Sequence, residues 1–298
     1  MKSAGLSRKG GKMEIKWQDE DSPHMLVREE KGVTFLTWQA LEEIPGLIHG
    51  FSTRLGGVSQ GIYETMNLSF TRGDREEDVR ENYRRISAAM GFSPEDIVTS
   101  DQTHTTNVRV VTYEDRGNGI TKPRPYKDID GMVTNVPGVI LATFYADCVP
   151  LYFVDPVKRA IGLSHSGWRG TVGHMGRVTV EKMREEYGSK PEDICCGIGP
   201  SICQECYEVS GDVIEEFCRA FEKKYWDGLF YPKGQGKYQL NLWEANRIIL
   251  LESGIRKERI FMPGICTCCN PEFLFSHRAS KGKRGNLGAF LGLKNEEK

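Results

Sequence analysis

Three short apolar segments, separated by tight polar turns, constrain the fold of this chain more than any other feature. They cover residues 139–145, 151–155 and 160–165, and turn residues bound each of them. Apolar runs of this length are typical of strands buried inside a sheet. They place Cys148 between two strands and His165 at the end of the third. The sequence therefore predicts a buried sheet with a thiol and an imidazole where its strands end.

Strands and helices alternate through the rest of the chain. The patterns predict strands at residues 33–38, 107–113 and 259–262, and helices at residues 74–90, 172–186, 209–224 and 240–253. This mixture predicts an α+β fold, or mixed α/β fold, in a single domain over residues 32–298. Residues 1–31 are expected to form an N-terminal tail that is partly disordered.

Composition narrows the class of protein. With 298 residues, of which 39% are hydrophobic, the chain can bury a substantial core. A net charge of −1 gives no global basic field to hold nucleic acid or an anionic membrane. The basic first dozen residues lack the apolar run of a secretory signal or anchor, and nine cysteines are an odd number. We expect a cytoplasmic protein with reduced thiols and no nucleic-acid or membrane partner.

The segment Gln102-Thr103-His104 offers a second imidazole beside Cys148 and His165. One thiolate and two imidazoles suit a catalytic zinc ion with an open fourth position, and Cu²⁺ can bind the same set in vitro. The same residues also allow a cysteine hydrolase, because an imidazole can lower the pKa of a thiol. A third interpretation is a binding protein that a metal merely stabilises. Asp147, adjacent to the thiol, is the candidate general acid or base.

Two metalloenzyme classes disagree with the sequence. A multicopper oxidase spreads histidines over His-x-His pairs, and this chain has none. The zinc deaminase signature needs His-x-Glu, whereas Thr105 and Thr106 follow His104.

Several motifs, in order along the chain, resemble those of the YfiH/YlmD-type family, also called the laccase-domain or polyphenol-oxidase-like family. They run from about His49 to Arg278. The motifs are residues 51–59, Gln102-x-His104, Ala146-Asp147-Cys148-x-Pro150, His165-x-Gly167-Trp168-Arg169-Gly170 and residues 197–209. The family's usual Gly-Arg in the last loop reads Gly285-Asn286 here.

The resemblance implies a four-layered α/β/β/α fold and a zinc ion bound by His104, Cys148 and His165. It implies phosphorolysis of adenosine, inosine and methylthioadenosine, with adenosine deamination as a further activity. Purine nucleosides and phosphate are then the partners, and a homodimer is one option for the assembly. The rival enzyme hypothesis is a hydrolase acting on an amide or cell-wall precursor, with Cys148 as nucleophile and His165 as base.

Phosphorolysis needs cationic groups for phosphate and polar groups for ribose. Guanidinium groups match phosphate geometry, and flat rings can stack on a purine. The candidates are Arg54, Arg169 and Arg278 for phosphate, Ser52 and Asn67 for polar contacts, and Trp168, Tyr207 and Trp243 for stacking.

The remaining cysteines raise the question of a second metal. Cys203-x-x-Cys206 and Cys266-x-Cys268-Cys269 have spacing that could build a structural zinc site, with Cys195-Cys196 near them. The family resemblance includes some of these cysteines without a recognised structural zinc, which favours free buried thiols.

Overall fold

Two six-stranded sheets form the centre of the molecule in this computed structural model, which describes residues 8–9, 12–18 and 25–295. The first sheet contains, in spatial order, Met25–Glu30, Val33–Trp38, Leu47–Ser52, Leu287–Leu293, Ile140–Tyr145 and Ile97–Thr99. The second sheet contains Ile260–Phe261, Cys195–Ile198, Val149–Asp155, Ala160–Ser166, Gly131–Thr134 and Val108–Val110. Most neighbours are antiparallel, but each sheet includes parallel pairs at its edges, so both sheets are mixed.

The sheets pack face to face, and helices cover their outer faces. Leu36 and Leu141 of the first sheet share one apolar cluster with Tyr152 and Leu163 of the second. A second cluster joins the first sheet to the helix Glu76–Met90. A third cluster joins the second sheet to the helices Met175–Tyr187, Gly211–Ala220 and Leu242–Glu252. The layers therefore follow the order α/β/β/α, which confirms the mixed fold expected from the sequence.

Short elements complete the fold. A small sheet contains Glu208–Ser210, Lys237–Leu240 and Phe230–Gly234, and Arg8–Lys9 pairs with Lys12–Met13. The short α-helices are Gln39–Glu42, Trp168–Val172, Trp226–Leu229 and His277–Ser280. The 3₁₀ helices are Gly61–Tyr63, Pro94–Asp96, Tyr113–Asp115, Pro191–Asp193, Gln204–Cys206, Lys223–Tyr225 and Lys257–Arg259. None of the helices in the described part of the chain combines the length and apolar character needed to cross a membrane.

Several predicted elements have different bounds in the structure. The helix predicted at residues 172–186 starts only at Met175, because His174 before it adopts a left-handed conformation with φ of 57°. The strand predicted at residues 107–113 is shorter, since Asp115 accepts the amide of Thr112 and starts a 3₁₀ turn there. The helix predicted at residues 209–224 covers only Gly211–Ala220.

The N-terminal boundary predicted at residue 32 needs correction. Met25–Glu30 pairs along its whole length with Val33–Trp38, so the boundary divides a hairpin of the first sheet. Lys16 also contacts the body of the protein, since its amide donates to Asn270 Oδ1 at 2.8 Å. Residues 1–7, 10–11 and 19–24 of the predicted tail, among them His24, lie outside the described residues.

Candidate functional site

Three possible metal ligands meet where two antiparallel strands of the second sheet end. Cys148 directly precedes one strand, and His165 lies on its neighbour opposite Pro150. His104 reaches the same place from the loop after the last strand of the first sheet. Their ligand atoms all lie within 4.8 Å of one another. We call His104, Cys148 and His165 the ligand trio.

A glycine allows this close approach. A Cβ atom added to Gly167 would lie 3.1 Å from Cys148 Sγ and 3.1 Å from His104 Cδ2. Contacts this short require a neighbour to move, and here both neighbours belong to the ligand trio. Gly167 therefore acts as a spacer that lets the loop after His165 pass over the site.

Asp130 contacts both His165 and the loop that carries His104, a role that no motif in the sequence indicated. Its carboxylate lies 2.8 Å from Nδ1 of His165. It also accepts the backbone amides of Thr103, His104 and Thr105 at 2.9–3.1 Å. Burial opposes ionisation, but His165 and these amides outweigh it and lower the pKa of Asp130. One buried carboxylate thus orients one imidazole and fixes the loop that carries the other.

The thiol and the imidazole beside it favour their charged forms. Burial would raise the pKa of Cys148, but His165 and His104 outweigh it and lower that pKa from 9.0 to about 6. Burial would lower the pKa of His165, but Cys148 and Asp130 raise it from 6.5 to about 9. The site therefore stabilises a thiolate at neutral pH, the form in which cysteine binds metals and attacks carbonyls.

The trio opens into a cavity of about 570 Å³, large enough for a drug-sized ligand. Its wall is partly aromatic, with Phe70 and Tyr83 stacked at a centroid distance of 5.5 Å. The other aromatic and the cationic lining residues are Tyr126, Phe144, Tyr145, Arg72, Arg124, Lys127 and Arg284. The trio, flat rings and positive charges therefore share one cavity.

Arg284 is the most unusual cation of this cavity, because it is only 8% exposed. Its guanidinium donates to the carbonyl of Gly285 and to the side chain of Asn286. Its buried Nε has no hydrogen-bond partner among the described residues. Burial and the nearby positive charge of Arg72 lower the pKa of Arg284 to about 10. A buried guanidinium with a free donor and a cationic neighbour is a favourable place for an anion.

The three arginines predicted to bind phosphate do not line the cavity. Arg54 donates to the carbonyls of Glu64 and Pro271. Arg278 donates to those of Cys206 and Glu208. Arg169 is exposed, with its guanidinium 4.3 Å from the ring centroid of Trp168. Backbone carbonyls and an aromatic face thus take the positions where the prediction placed an anion.

Ser52 and Asn67 also have structural partners and lie outside the cavity lining. The hydroxyl of Ser52 accepts the amide of Gly288 at 2.8 Å. The side chain of Asn67 bonds to Ser69 and Asp74, and its oxygen accepts the amide of Asn286. Asn67 therefore holds the loop that presents Arg284, which is an indirect contribution to the site.

Asp147 is placed differently from the general acid or base that the sequence predicted. Its oxygens accept the Thr267 hydroxyl at 2.6 Å and the Arg278 amide at 2.7 Å, and it does not line the cavity. Its φ of 94° turns the chain just before Cys148. Asp147 is therefore a positioning residue for the thiol.

The predicted stacking residues lie elsewhere as well. Trp168, Tyr207 and Trp243 pack in other apolar clusters, and the Trp243 indole donates to Ser201 Oγ at 2.7 Å. The flat surfaces of the cavity come instead from Phe70, Tyr83 and Phe144. These rings come from separate elements, so no local motif could reveal them.

Comparison with known proteins agrees with this architecture. The YlmD structure from Geobacillus stearothermophilus superposes with a TM-score of 0.85 and 34% identity, covering 91% of this chain and all of that one. The YfiH structure from Bacillus licheniformis gives a TM-score of 0.82 and 34% identity, covering 92% of this chain and 98% of that one.

A relative in Bacillus subtilis, named purine nucleoside phosphorylase YlmD, is 41% identical over 83% of this chain and 89% of its own length. Residues 48–294 match the family model described as "Multi-copper polyphenol oxidoreductase laccase". The match includes every member of the ligand trio and the lining residues from Leu68 to Asn286. On these grounds the chain belongs to the laccase-domain family that the YfiH and YlmD proteins typify.

Proposed function

We propose that this protein is a zinc-dependent purine nucleoside phosphorylase that acts on adenosine, inosine and methylthioadenosine. Relatives named purine nucleoside phosphorylase support an enzyme of this kind. The observation that carries the proposal is the shared cavity, which contains the ligand trio and the buried, incompletely paired guanidinium of Arg284.

The chemistry of the trio fits zinc. One thiolate and two imidazoles are ligands that zinc prefers, and catalytic zinc sites keep one position open. The hydrogen bond between Asp130 and Nδ1 of His165 leaves Nε2 of that ring as the metal-binding atom. When bound, zinc would supply a Lewis acid at the inner end of the cavity.

The cationic side of the cavity would bind phosphate. Arg284 lines the cavity, where its guanidinium would pair with a phosphate oxygen, and Arg72 adds a second positive charge. Arg124 is less available, because it donates to Asp101, Thr99 and Ser100. A phosphate anchored by Arg284 would be oriented toward the anomeric carbon of a nucleoside that occupies the rest of the cavity.

The aromatic wall would hold the purine. Phe70 and Tyr83 offer a stacked pair, and Phe144 meets Tyr83 edge to face at 6.4 Å. The Tyr83 hydroxyl is already satisfied by the carbonyl of Leu68 at 2.6 Å. These rings therefore contribute only apolar surface and shape to the cavity. A wall of this kind binds several purines without selecting one of them.

Adenosine deamination is the second activity that we propose for the same cavity. The support is that polar side chains line the same cavity as the trio, so a nucleoside bound there can present its base or its ribose to it. Ammonia release from adenosine without phosphate tests this activity separately.

The hydrolase alternative has a specific observation in its favour. Cys148, His165 and Asp130 form a connected thiol, imidazole and carboxylate, the arrangement that activates a cysteine nucleophile. This alternative requires a free thiolate and no metal, so the two hypotheses predict opposite effects of a chelator.

The test is phosphate-dependent release of hypoxanthine from inosine. We expect chelation to abolish it, zinc to restore it and Cys148→Ala to lack it at any zinc concentration. Cys218→Ala, which changes a cysteine of the outer helix Gly211–Ala220, should behave as wild type. Hypoxanthine release by metal-free protein without phosphate would contradict the proposal, whereas cleavage of an amide substrate by metal-free protein would favour the hydrolase.

A further inference from the structure

A second group of four cysteines lies outside the catalytic cavity. Cys203 and Cys206 belong to the loop after the strand Cys195–Ile198, and Cys266 and Cys269 to the loop after Ile260–Phe261. All four sulfur atoms lie within 4.8 Å of one another. We call these four residues the cysteine cluster.

The sulfur positions match a tetrahedral metal site. Cys206 Sγ lies 3.5 Å and Cys203 Sγ lies 3.9 Å from Cys269 Sγ. Four sulfurs placed at a zinc–sulfur distance of about 2.3 Å stand roughly 3.8 Å apart. A disulfide would need about 2.05 Å between two of them. The cluster thus has the spacing of ligands around one ion.

Two backbone amides point at one sulfur atom of the cluster. Cys266 Sγ accepts the amide of Cys203 at 3.2 Å and that of Cys269 at 3.4 Å. Both Cys203 and Cys266 are buried, where a thiolate without a cation would be costly. Donors aimed at a buried sulfur, together with three more sulfurs around it, indicate a cation as the missing partner.

The sequence spacing supports the same interpretation once the correct pairs are known. Cys203 and Cys206 form one Cys-x-x-Cys, and Cys266 and Cys269 form another that the intervening Cys268 obscures. Two such pairs are the usual ligand pattern of a structural zinc. Neither Cys268 nor the neighbours Cys195 and Cys196 belong to the cluster. The expectation of free thiols rested on the family resemblance, whereas the convergence of the four sulfur atoms is a property of this fold.

We propose that Cys203, Cys206, Cys266 and Cys269 bind a structural zinc ion, separate from the ligand trio. The ion joins two loops that also fix Asp147. The amide of Ile202 donates to the Asp147 carbonyl at 3.0 Å, and the Thr267 hydroxyl donates to its carboxylate. Since Cys148 follows Asp147, this zinc stabilises the position of the catalytic thiol. The proposal does not depend on which reaction the cavity performs.

Zinc content per chain tests the proposal in the full-length protein, purified without a metal-affinity step. We expect two zinc ions per wild-type chain and one in His104→Ala/His165→Ala, which retains the cluster. Cys203→Ser/Cys206→Ser should also contain one, whereas Cys268→Ser, the matched control in the same loop, should contain two.

A spectroscopic readout covers the case in which the cluster variant does not fold. Cobalt added to apo His104→Ala/His165→Ala should give the intense thiolate-to-cobalt charge transfer of a four-sulfur tetrahedral site. A single zinc that His104→Ala/His165→Ala removes entirely would overturn the proposal. Two disulfides detected by thiol counting, or iron with inorganic sulfide in place of zinc, would overturn it as well.

Discussion

The carboxylate of Asp130 lies 2.8 Å from Nδ1 of His165. The same carboxylate accepts three consecutive amides of the loop that carries His104. Two of the three trio members therefore depend on one buried residue. In metal sites, carboxylates in this position fix the tautomer of the ligand and raise its basicity.

Replacing this carboxylate should weaken the site without removing a ligand. For Asp130→Asn we expect zinc affinity at the trio to fall about 10- to 100-fold, because the amide cannot accept all of these donors. Competition with a zinc-binding dye measures the change. Asp227→Asn is the control, since Asp227 is exposed on the short helix Trp226–Leu229, which carries no member of the trio. Equal affinities for Asp130→Asn and wild type would show that Asp130 does not orient His165.

Replacing Arg284 should weaken the binding of phosphate more than the binding of the nucleoside. A charge-assisted hydrogen bond contributes about 1.5–3 kcal/mol, so Arg284→Gln should raise the KM for phosphate at least about tenfold. The KM for inosine should change much less. Arg169→Gln, at the exposed arginine that stacks on Trp168, should leave both constants unchanged. A larger effect of Arg284→Gln on inosine than on phosphate would contradict the assignment.

Adding a single methyl group at position 167 should disturb the ligand trio. Gly167→Ala places a Cβ atom 3.1 Å from Cys148 Sγ, so we expect zinc to be retained less tightly and turnover to fall. Gly228→Ala is the control, because nothing lies within 4 Å of the added atom. Zinc titration and initial rates on the two variants check this. Equal behaviour would mean that the trio can shift to accept the methyl group.

Stability should depend on pH through His49. Its Nε2 accepts the backbone amide of Trp38 at 3.0 Å, which requires the neutral ring. Burial lowers the pKa of His49 from 6.5 to about 4. Since the unfolded chain takes up this proton first, the free energy of unfolding should fall as pH decreases from about 6.5 to 4, by about 3 kcal/mol at most.

Denaturant unfolding at pH 7 and pH 4.5 measures this effect. His49→Gln should lose less stability between the two values than wild type does, because glutamine does not titrate. An equal loss in both proteins would assign the acid sensitivity to other groups.

Local pattern was sufficient to identify the ligand trio but not its surroundings. Cys148 precedes one apolar strand and His165 lies near the end of the next, so their proximity follows from the pairing of these adjacent strands. Asp130 precedes the strand Gly131–Thr134, but no spacing rule links it to His165. Its role depends on which strand becomes the neighbour of Ala160–Ser166, and this is a property of the whole sheet.

For the cationic residues, sequence motifs indicated arginines that do not line the cavity and missed one that does. Arg54 and Arg278 occur in glycine-bearing or polar loops that suggest anion binding, yet backbone carbonyls take up their donors. Arg284 lies in no motif that indicates anion binding. Its burial depends on the hydrogen bond between Asn286 of its own loop and the distant Asn67. Hydrogen bonds between segments far apart in sequence decide which guanidinium remains available for a ligand.

Formation of ribose 1-phosphate from inosine tests the central claim most directly. With zinc-loaded protein and inorganic phosphate, we expect ribose 1-phosphate and hypoxanthine in equal amounts, and neither after chelation. Omission of phosphate should stop hypoxanthine release. Free ribose, formed at the same rate with or without phosphate, would contradict the account.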